Sequence, residues 1–391
     1  MKLLFTIVPS RSHLHAIVPI ARALVRRGHQ VAFATAARFQ PVIAAAGFNG
    51  FAAGLDWIAD EDGQTFRPSD FADRCAPPMV DDVTALSREL MPDVVVSDML
   101  EFGGWIAADK LGVPHAMIGL SGGVALPHEW TRKTFGESLG ALREFHGLRP
   151  DPMLEGLNEF LRIDLVPPGF RPPAVDPGPN THDVRPVSID DFTSATVRSW
   201  VVRAKLQHLP YPRTVLVTLG TVFNGDHDAF AICLSALADE QVNVIAAVGS
   251  TQDPRRFGPQ PPHVRVERYL PFSLITDRVD ALISHGGYLT VMTFLGAGVP
   301  MGIVPLAADH PLNAMRLVKM GAALTLKRAD LNGDAVRTVV RALLDQPQYR
   351  AAAQRIRAEM LTQPGPDHAA ALITQLAEER RPIPRLVAVG G

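Results

Sequence analysis

Cysteine is almost absent: Cys75 and Cys233 are the only two among 391 residues. Thiols so far apart build neither a disulfide framework nor a metal knuckle, which leaves a reduced, cytoplasmic chain as the expectation. Lysine is nearly as scarce, confined to positions 2, 110, 133, 205, 319 and 327. Excess charge of either sign is also missing, since 38 basic residues against 40 acidic ones give a formal charge of −2. No global field therefore draws the chain onto nucleic acid or an anionic membrane. No apolar run approaches the ~18 residues of a membrane span, so no membrane insertion is expected. The short run from Met1 to Val8 precedes Arg11, Ser12 and His13 without a small-residue cleavage site, and it reads as a first buried strand, not a leader. No strand is followed by Gly-x-Gly-x-x-Gly, which disfavours a dinucleotide dehydrogenase.

What is present is ample apolar material. With 47% hydrophobic and 20% charged residues, the chain has the balance of a packed protein, and at about 150 residues per domain its length suits two or three domains. Short β-branched runs alternate with segments of helical period, the signature of βα units around a parallel sheet, and the pattern occurs twice. Strands are expected at Leu3 to Val8, Gln30 to Thr35, Pro92 to Asp98 and near His115 to Ile118. In the second half they are expected at Thr214 to Leu219, Val242 to Val248, Val264 to Tyr269, Ala281 to Ser284 and Met301 to Val304. The first helix is marked by Ile17, Ile20, Ala21, Leu24 and Val25 and ends at Gly28. Between the halves, nine prolines from Pro150 to Pro186 suggest an extended approach with neither helix nor central strand. The expected organisation is a first domain over 1–195, a hinge over 196–212 with a helix near Ser194 to His208, a second domain over 213–365, and a terminal helix and tail over 366–391 packing back on the first domain. A cleft between the two domains is the default ligand site.

Ser284-His285-Gly286-Gly287-Tyr288-Leu289-Thr290 follows a strand and opens a helix. Glycines let backbone approach a ligand and a helix N-terminus offers unpaired N–H donors, so a diphosphate fits here, with a hydrogen bond from His285 and a hydroxyl from Thr290. A plain strand-to-helix turn is the alternative. Thr218-Leu219-Gly220-Thr221 closes an earlier strand in the same way. Downstream, Asp309 and His310 follow a buried strand, where ligands of open α/β sheets bind; Asp309 either accepts from sugar hydroxyls or caps the next helix.

Together with His13, Pro19, Gly28-His29, Arg185-Pro186-Val187, Val217 to Phe223, Ala297-Gly298-Val299-Pro300 and Asn313-Ala314, these motifs resemble the GT-B glycosyltransferases of the nucleotide-sugar-dependent family that includes antibiotic and macrolide glycosyltransferases. The likeness runs through nearly the whole chain. It implies two Rossmann-like α/β domains with parallel sheets facing across a cleft, the acceptor bound by the first and the nucleotide-sugar by the second. It assigns the diphosphate to His285, Gly286, Gly287 and Thr290 with Gly220 and Thr221, and the hexose to Asp309 and His310. The base falls to Arg268-Tyr269-Leu270-Pro271, with Tyr269 stacking on it or serving as ordinary core. Leu289 and His310 stand where the family commonly has glycine and glutamine.

A histidine in the first βα loop suits removal of a proton from an attacking hydroxyl. The resemblance gives that role to His13, which stands 15 positions before Gly28 as the family's catalytic histidine does before its glycine. Asp98, at the end of a buried strand, either orients that imidazole or caps the following helix. Arg11 and Ser12 touch a phosphate or shape the turn. Trp57, Phe66, Phe71, Trp130 and Phe135 line an apolar acceptor pocket or belong to the core. Asp226-x-Asp228 matches a metal-binding pair of another architecture but reads as a helix cap. The expectation is an inverting transferase that uses a dTDP- or UDP-sugar as co-substrate, without a metal, on an apolar small-molecule acceptor, with a homodimer left open. A sugar-nucleotide epimerase and a non-catalytic partner protein are the rival readings.

Overall fold

In a computed structural model of the chain, residues 1–62, 66–120, 129–171, 176–187, 209–220, 226–249 and 252–385 are described. They form two units, one of Met1–Pro167, Arg171–Phe192 and Gln363–Gly391, the other of Pro168–Phe170 and Thr193–Thr362.

The first unit is built on β1 (Lys2–Thr6), β2 (Gln30–Thr35), β3 (Asn49–Ala52), β4 (Val94–Asp98), β5 (His115–Gly119), β6 (Leu161–Asp164) and β7 (Thr181–Asp183). All pair in parallel, in the order β3-β2-β1-β4-β5-β6-β7. Parallel sheets are covered on both faces, so their strands carry unbroken apolar runs; Leu3, Leu4 and Phe5 in β1 and Val94, Val95 and Val96 in β4 are all buried. The chain order reverses between β1 and β4, where Thr6 stands beside Ser97. Helix α1 (Arg11–Arg26) follows β1, α2 (Ala76–Leu90) precedes β4, and α3 (Gly103–Leu111) follows it.

The second unit repeats the plan with β8 (Thr214–Thr218), β9 (Asn243–Ala247), β10 (Val264–Glu267), β11 (Ala281–Ser284), β12 (Met301–Ile303) and β13 (Ala323–Thr325), parallel in the order β10-β9-β8-β11-β12-β13. Side chains alternate across β8: Val215 and Val217 pack on one face with helices α4 (His227–Leu237) and α7 (Gly333–Asp345), and Leu216 packs on the other with α5 (Tyr288–Leu295), α6 (His310–Lys319) and α8 (Pro347–Thr362). The last helix, α9 (Pro366–Glu379), rests on α1 within the first unit. There Arg26 pairs with Asp367 at 2.8 Å and His29 Nε2 lies 2.9 Å from the Thr374 hydroxyl.

Three expectations need correction. The stretch from Arg149 to Pro186 holds two strands, β6 and β7: its prolines lie outside these short runs, and the charged residues that hide the strand pattern are buried as ion pairs, with Asp164 taking Arg162 Nε at 2.6 Å and Arg171 at 2.7 Å. The first helix begins at Arg11, not at the first apolar position, so His13 lies in the first turn of α1 and not in the preceding loop. Strand β3, an edge of the first sheet, and β13, an edge of the second, carry too little apolar run to be seen beforehand. The helix expected near Ser194 to His208 lies outside the described residues. Among the described residues no helix is long and apolar enough to cross a membrane.

Candidate functional site

In open α/β sheets the carboxyl ends of the strands around the point of reversed order form a natural crevice, because the loops there diverge to opposite faces. In the first unit that point is flanked by β1 and β4, and the two residues singled out from the sequence meet there. His13 Nδ1 lies 3.0 Å from Asp98 Oδ2. The same oxygen accepts the Val8 N–H at 2.7 Å and Oδ1 accepts the Leu100 N–H at 2.9 Å. Asp98 is fully buried, whereas the His13 side chain keeps 20% of its surface exposed. A carboxylate with these donors accepts from the ring, which puts the imidazole proton on Nδ1 and makes Nε2 the basic nitrogen.

Asp98 does not cap α3. That work is done by Glu101, whose carboxylate takes the Gly103 N–H at 2.7 Å and the Gly104 N–H at 3.0 Å. Burial pushes the Glu101 carboxyl up to about 7, against the pull of these N–H groups. Glu101 escaped the sequence reading; a glutamate two residues ahead of paired glycines at a helix start was its only trace. Together with Trp57, Phe71, Cys75, Met79 and Phe102 it borders a small hollow of about 20 Å³ within the first unit. Trp57 stacks on Phe66 at 4.1 Å and meets Phe71 edge-on at 5.9 Å. Trp130 and Phe135 form a separate T-shaped pair at 5.7 Å, with Phe135 buried against Phe102. Ser12 shares a hydroxyl contact with Ser10 at 2.9 Å, which shapes the turn into α1.

The corresponding point of the second unit lies between β8 and β11. Gly220 after β8 and Gly286 after β11 both have left-handed φ, +80° and +88°. A Cβ on Gly220 would stand 2.5 Å from the His285 ring, one on Gly287 2.4 Å from it, and one on Gly286 2.6 Å from Ile303. Gly220 and Gly287 are thus required by the imidazole that fills the space between the two turns, and Gly286 by Ile303. Gly287 is the N-cap of α5 and, having no side chain, makes no capping bond of its own. Thr290 sits buried in the first turn of α5.

His285 is buried, and burial pushes its imidazole down to about 3, helped by the His310 ring and opposed by the Thr218 carbonyl. His310 meets it edge-to-face at 4.5 Å. His310 Nδ1 accepts the Ala307 N–H at 3.0 Å, which leaves the ring proton on Nε2, and burial lowers its basicity as well. Asp309 occupies the N-cap position of α6 without capping it; its Oδ2 instead accepts from Asn313 Nδ2 at 2.7 Å.

Leu270 is buried in the core, so only its backbone can meet a ligand, while Tyr269 is 46% exposed. Thr221 lies outside the described residues. Asp226 accepts the Ala229 N–H as the N-cap of α4 and is bound by Arg328. Among the described residues no group of three or more His, Cys, Asp or Glu side chains is arranged to hold a metal ion.

Comparison with known proteins agrees with the two-unit α/β fold. Residues 231–376 match the family described as erythromycin biosynthesis protein CIII-like, C-terminal domain. The chain is 28% identical to aclacinomycin-T 2-deoxy-L-fucose transferase of Streptomyces galilaeus over 97% of each protein. It is 29% identical to 4'-demethylrebeccamycin synthase of Lentzea aerocolonigenes over 92% of this chain and 95% of that one. The solved structure of the glycosyltransferase SnogD from Streptomyces nogalater superposes with a TM-score of 0.76 at 26% identity, covering 96% of this chain and 99% of that one.

Proposed function

We propose that this chain, whose residues 231–376 match the erythromycin CIII-like C-terminal domain, is an inverting glycosyltransferase of the GT-B fold that moves a hexose or deoxyhexose from a dTDP- or UDP-sugar to a hydroxyl of an apolar small-molecule natural product. The observation that carries the reading is the pair of His13 Nδ1 and Asp98 Oδ2 at 3.0 Å. As the acceptor oxygen forms its bond to the anomeric carbon, His13 Nε2 takes the hydroxyl proton. The carboxylate of Asp98 holds the ring in that tautomer and stabilises the imidazolium. The bond from the anomeric carbon to the diphosphate oxygen breaks with its electron pair staying on the diphosphate, and attack from the opposite face inverts the centre.

The negative charge that develops on the leaving group is met by the N–H groups opening α5 and the hydroxyl of Thr290, with Gly220 and Thr221 completing the cradle. His285, kept neutral by burial, fills the space between the two glycine turns without adding charge. Tyr269 and the backbone at Leu270 take the base, and Asp309 and His310 face the hexose. Likeness to a 2-deoxy-L-fucose transferase supports a deoxyhexose, and the aromatic cluster of Trp57, Phe66 and Phe71 supports an apolar acceptor. Two unpaired cysteines, both pushed up to about 12 by burial, fit a reducing cytoplasm.

His13→Ala is expected to abolish transfer and to leave nucleotide binding intact. Normal turnover by this variant would remove the base assignment. A thermal-shift panel of dTDP, UDP and GDP tests the donor class, because a selective ligand raises the melting temperature by mass action; preference for GDP contradicts it. A new sugar nucleotide formed without any acceptor would point to an epimerase instead.

A further inference from the structure

Asp309 stands where an aspartate ordinarily accepts N–H groups of its own helix, yet it makes no such bond. Its carboxylate is drawn four residues along instead, to the Nδ2 of Asn313 at 2.7 Å. The same nitrogen donates to the Gly286 carbonyl at 2.8 Å, within the turn that opens α5. Asn313 is 1% exposed, and its Oδ1 is buried without a hydrogen-bond partner. An amide that leaves its oxygen idle in the interior is oriented by its two donor bonds, since the unmet acceptor is itself unfavourable. No aspartate could make those bonds, and a serine could make only one.

The loop leading into Asp309 is held against its preference on both sides. Ala308 has φ +51°, the left-handed region that a residue with a Cβ avoids, and the preceding Ala307 N–H is fixed by His310 Nδ1 at 3.0 Å. Such conformations persist where the surroundings over-determine them, and they gather at ligand sites.

We propose that Asn313 is a positioning residue for the donor's sugar: its amide ties the Asp309 carboxylate to the glycine turn and prevents it from folding back onto its own helix, so that a single buried side chain sets the spacing between the diphosphate cradle and the group that reads the hexose. This rests on the reading of Asp309 as a sugar-facing residue. The sugar part of the donor depends on Asn313, whereas the nucleoside diphosphate part does not.

The test is calorimetry on the full chain with four probes, UDP, dTDP, UDP-glucose and dTDP-glucose, reading the ratio of sugar-nucleotide to diphosphate affinity. Asn313→Ala is expected to lower that ratio about tenfold, the size of one charge-assisted hydrogen bond. Asp309→Ala should lower it equally, and the double variant no further, because residues acting as one unit are not additive. Diphosphate affinity should change by less than about threefold. Asn313→Ser, which keeps one donor, should fall between wild type and the alanine variant, and it serves in its place if that variant does not fold. An equal loss for both ligand types would make Asn313 a mere support of the phosphate turn and overturn the proposal. So would an unchanged ratio in Asn313→Ala beside a lowered ratio in Asp309→Ala. Should Asp309→Ala itself leave the ratio unaltered, the sugar-facing reading of Asp309 fails, and the proposal falls with it.

Discussion

The two sheets reverse their strand order in the same way, between β1 and β4 in one unit and between β8 and β11 in the other, yet the residues at those two points are opposites. In the first, a buried carboxylate gathers two backbone N–H groups and an imidazole. In the second, glycine turns close around an imidazole that burial keeps neutral. One geometry thus supports two tasks. A strand ending in Asp98 presents negative charge suited to a ring that gains a proton, while a strand ending in His285-Gly286-Gly287 presents N–H donors suited to a ligand that already carries charge. In the proposed reaction, what differs is which partner brings the anion, the protein or the donor.

The sharpest way to break this contrast is to neutralise the carboxylate. Asp98→Asn should lower kcat roughly 10²–10⁴-fold, because the ring loses both its orienting acceptor and the charge that stabilises its protonated form. Nucleotide affinity should stay constant in the same preparation, and a parallel fall in both would show that the two points are not separable. A smaller loss is expected on the glycine side. Gly220→Ala places a Cβ 2.5 Å from the His285 ring at a φ of +80°, and we expect about tenfold weaker diphosphate binding with about 1–3 kcal/mol of lost stability. Gly28→Ala is the matched control, since its φ is +84° with nothing within 4 Å of the added carbon. It should cost about 1 kcal/mol and leave binding untouched; equal binding defects in the two variants would refute the role given to the imidazole.

Acid titration gives a signal spread over the whole molecule, which bears least on the contrast itself. His15, His115 and His285 are pushed down to about 4, 3 and 3, so below pH 6.5 the unfolded chain takes up protons that the folded one refuses. Stability should be full above pH 6.5 and fall by about 1.4 kcal/mol per histidine for each pH unit below it, until the folded groups titrate. Glu101 acts oppositely. With its carboxyl raised from 4.5 to about 7, the folded chain holds a proton the unfolded one has lost, and that contribution disappears as pH rises through 7. Urea unfolding of Glu101→Gln should therefore differ from wild type between pH 4.5 and 7, where its stability should climb with pH more steeply by about 1.4 kcal/mol per unit; identical slopes in the two proteins would assign the raised carboxyl elsewhere.

Much of this could be read in the sequence, and the reasons are local. Strands such as Val94 to Asp98 and Ala281 to Ser284 announce themselves because both faces of a parallel sheet demand apolar residues. The glycine turn after β11 was legible because close packing against an imidazole leaves no room for a side chain. Strand β6 was not, since Arg162 and Asp164 neutralise each other only after folding. The same holds for Glu101 and Asn313, whose partners at the Gly103, Gly104 and Gly286 backbone are met through the fold and carry no side-chain signature. The readings of Asp98 and Asp309 as helix caps stay open from sequence, and their hydrogen-bond partners remove both.

The first unit begins the chain and also ends it, for α9 lies on α1 through Arg26–Asp367 and His29–Thr374 while the second unit occupies the interval between. A hybrid assembled by one crossover in the middle of the chain would therefore give the front half a foreign final helix, with both of these contacts at risk. Recombining such proteins calls for two junctions, one on each flank of the inserted unit, so that the opening and closing segments are inherited together.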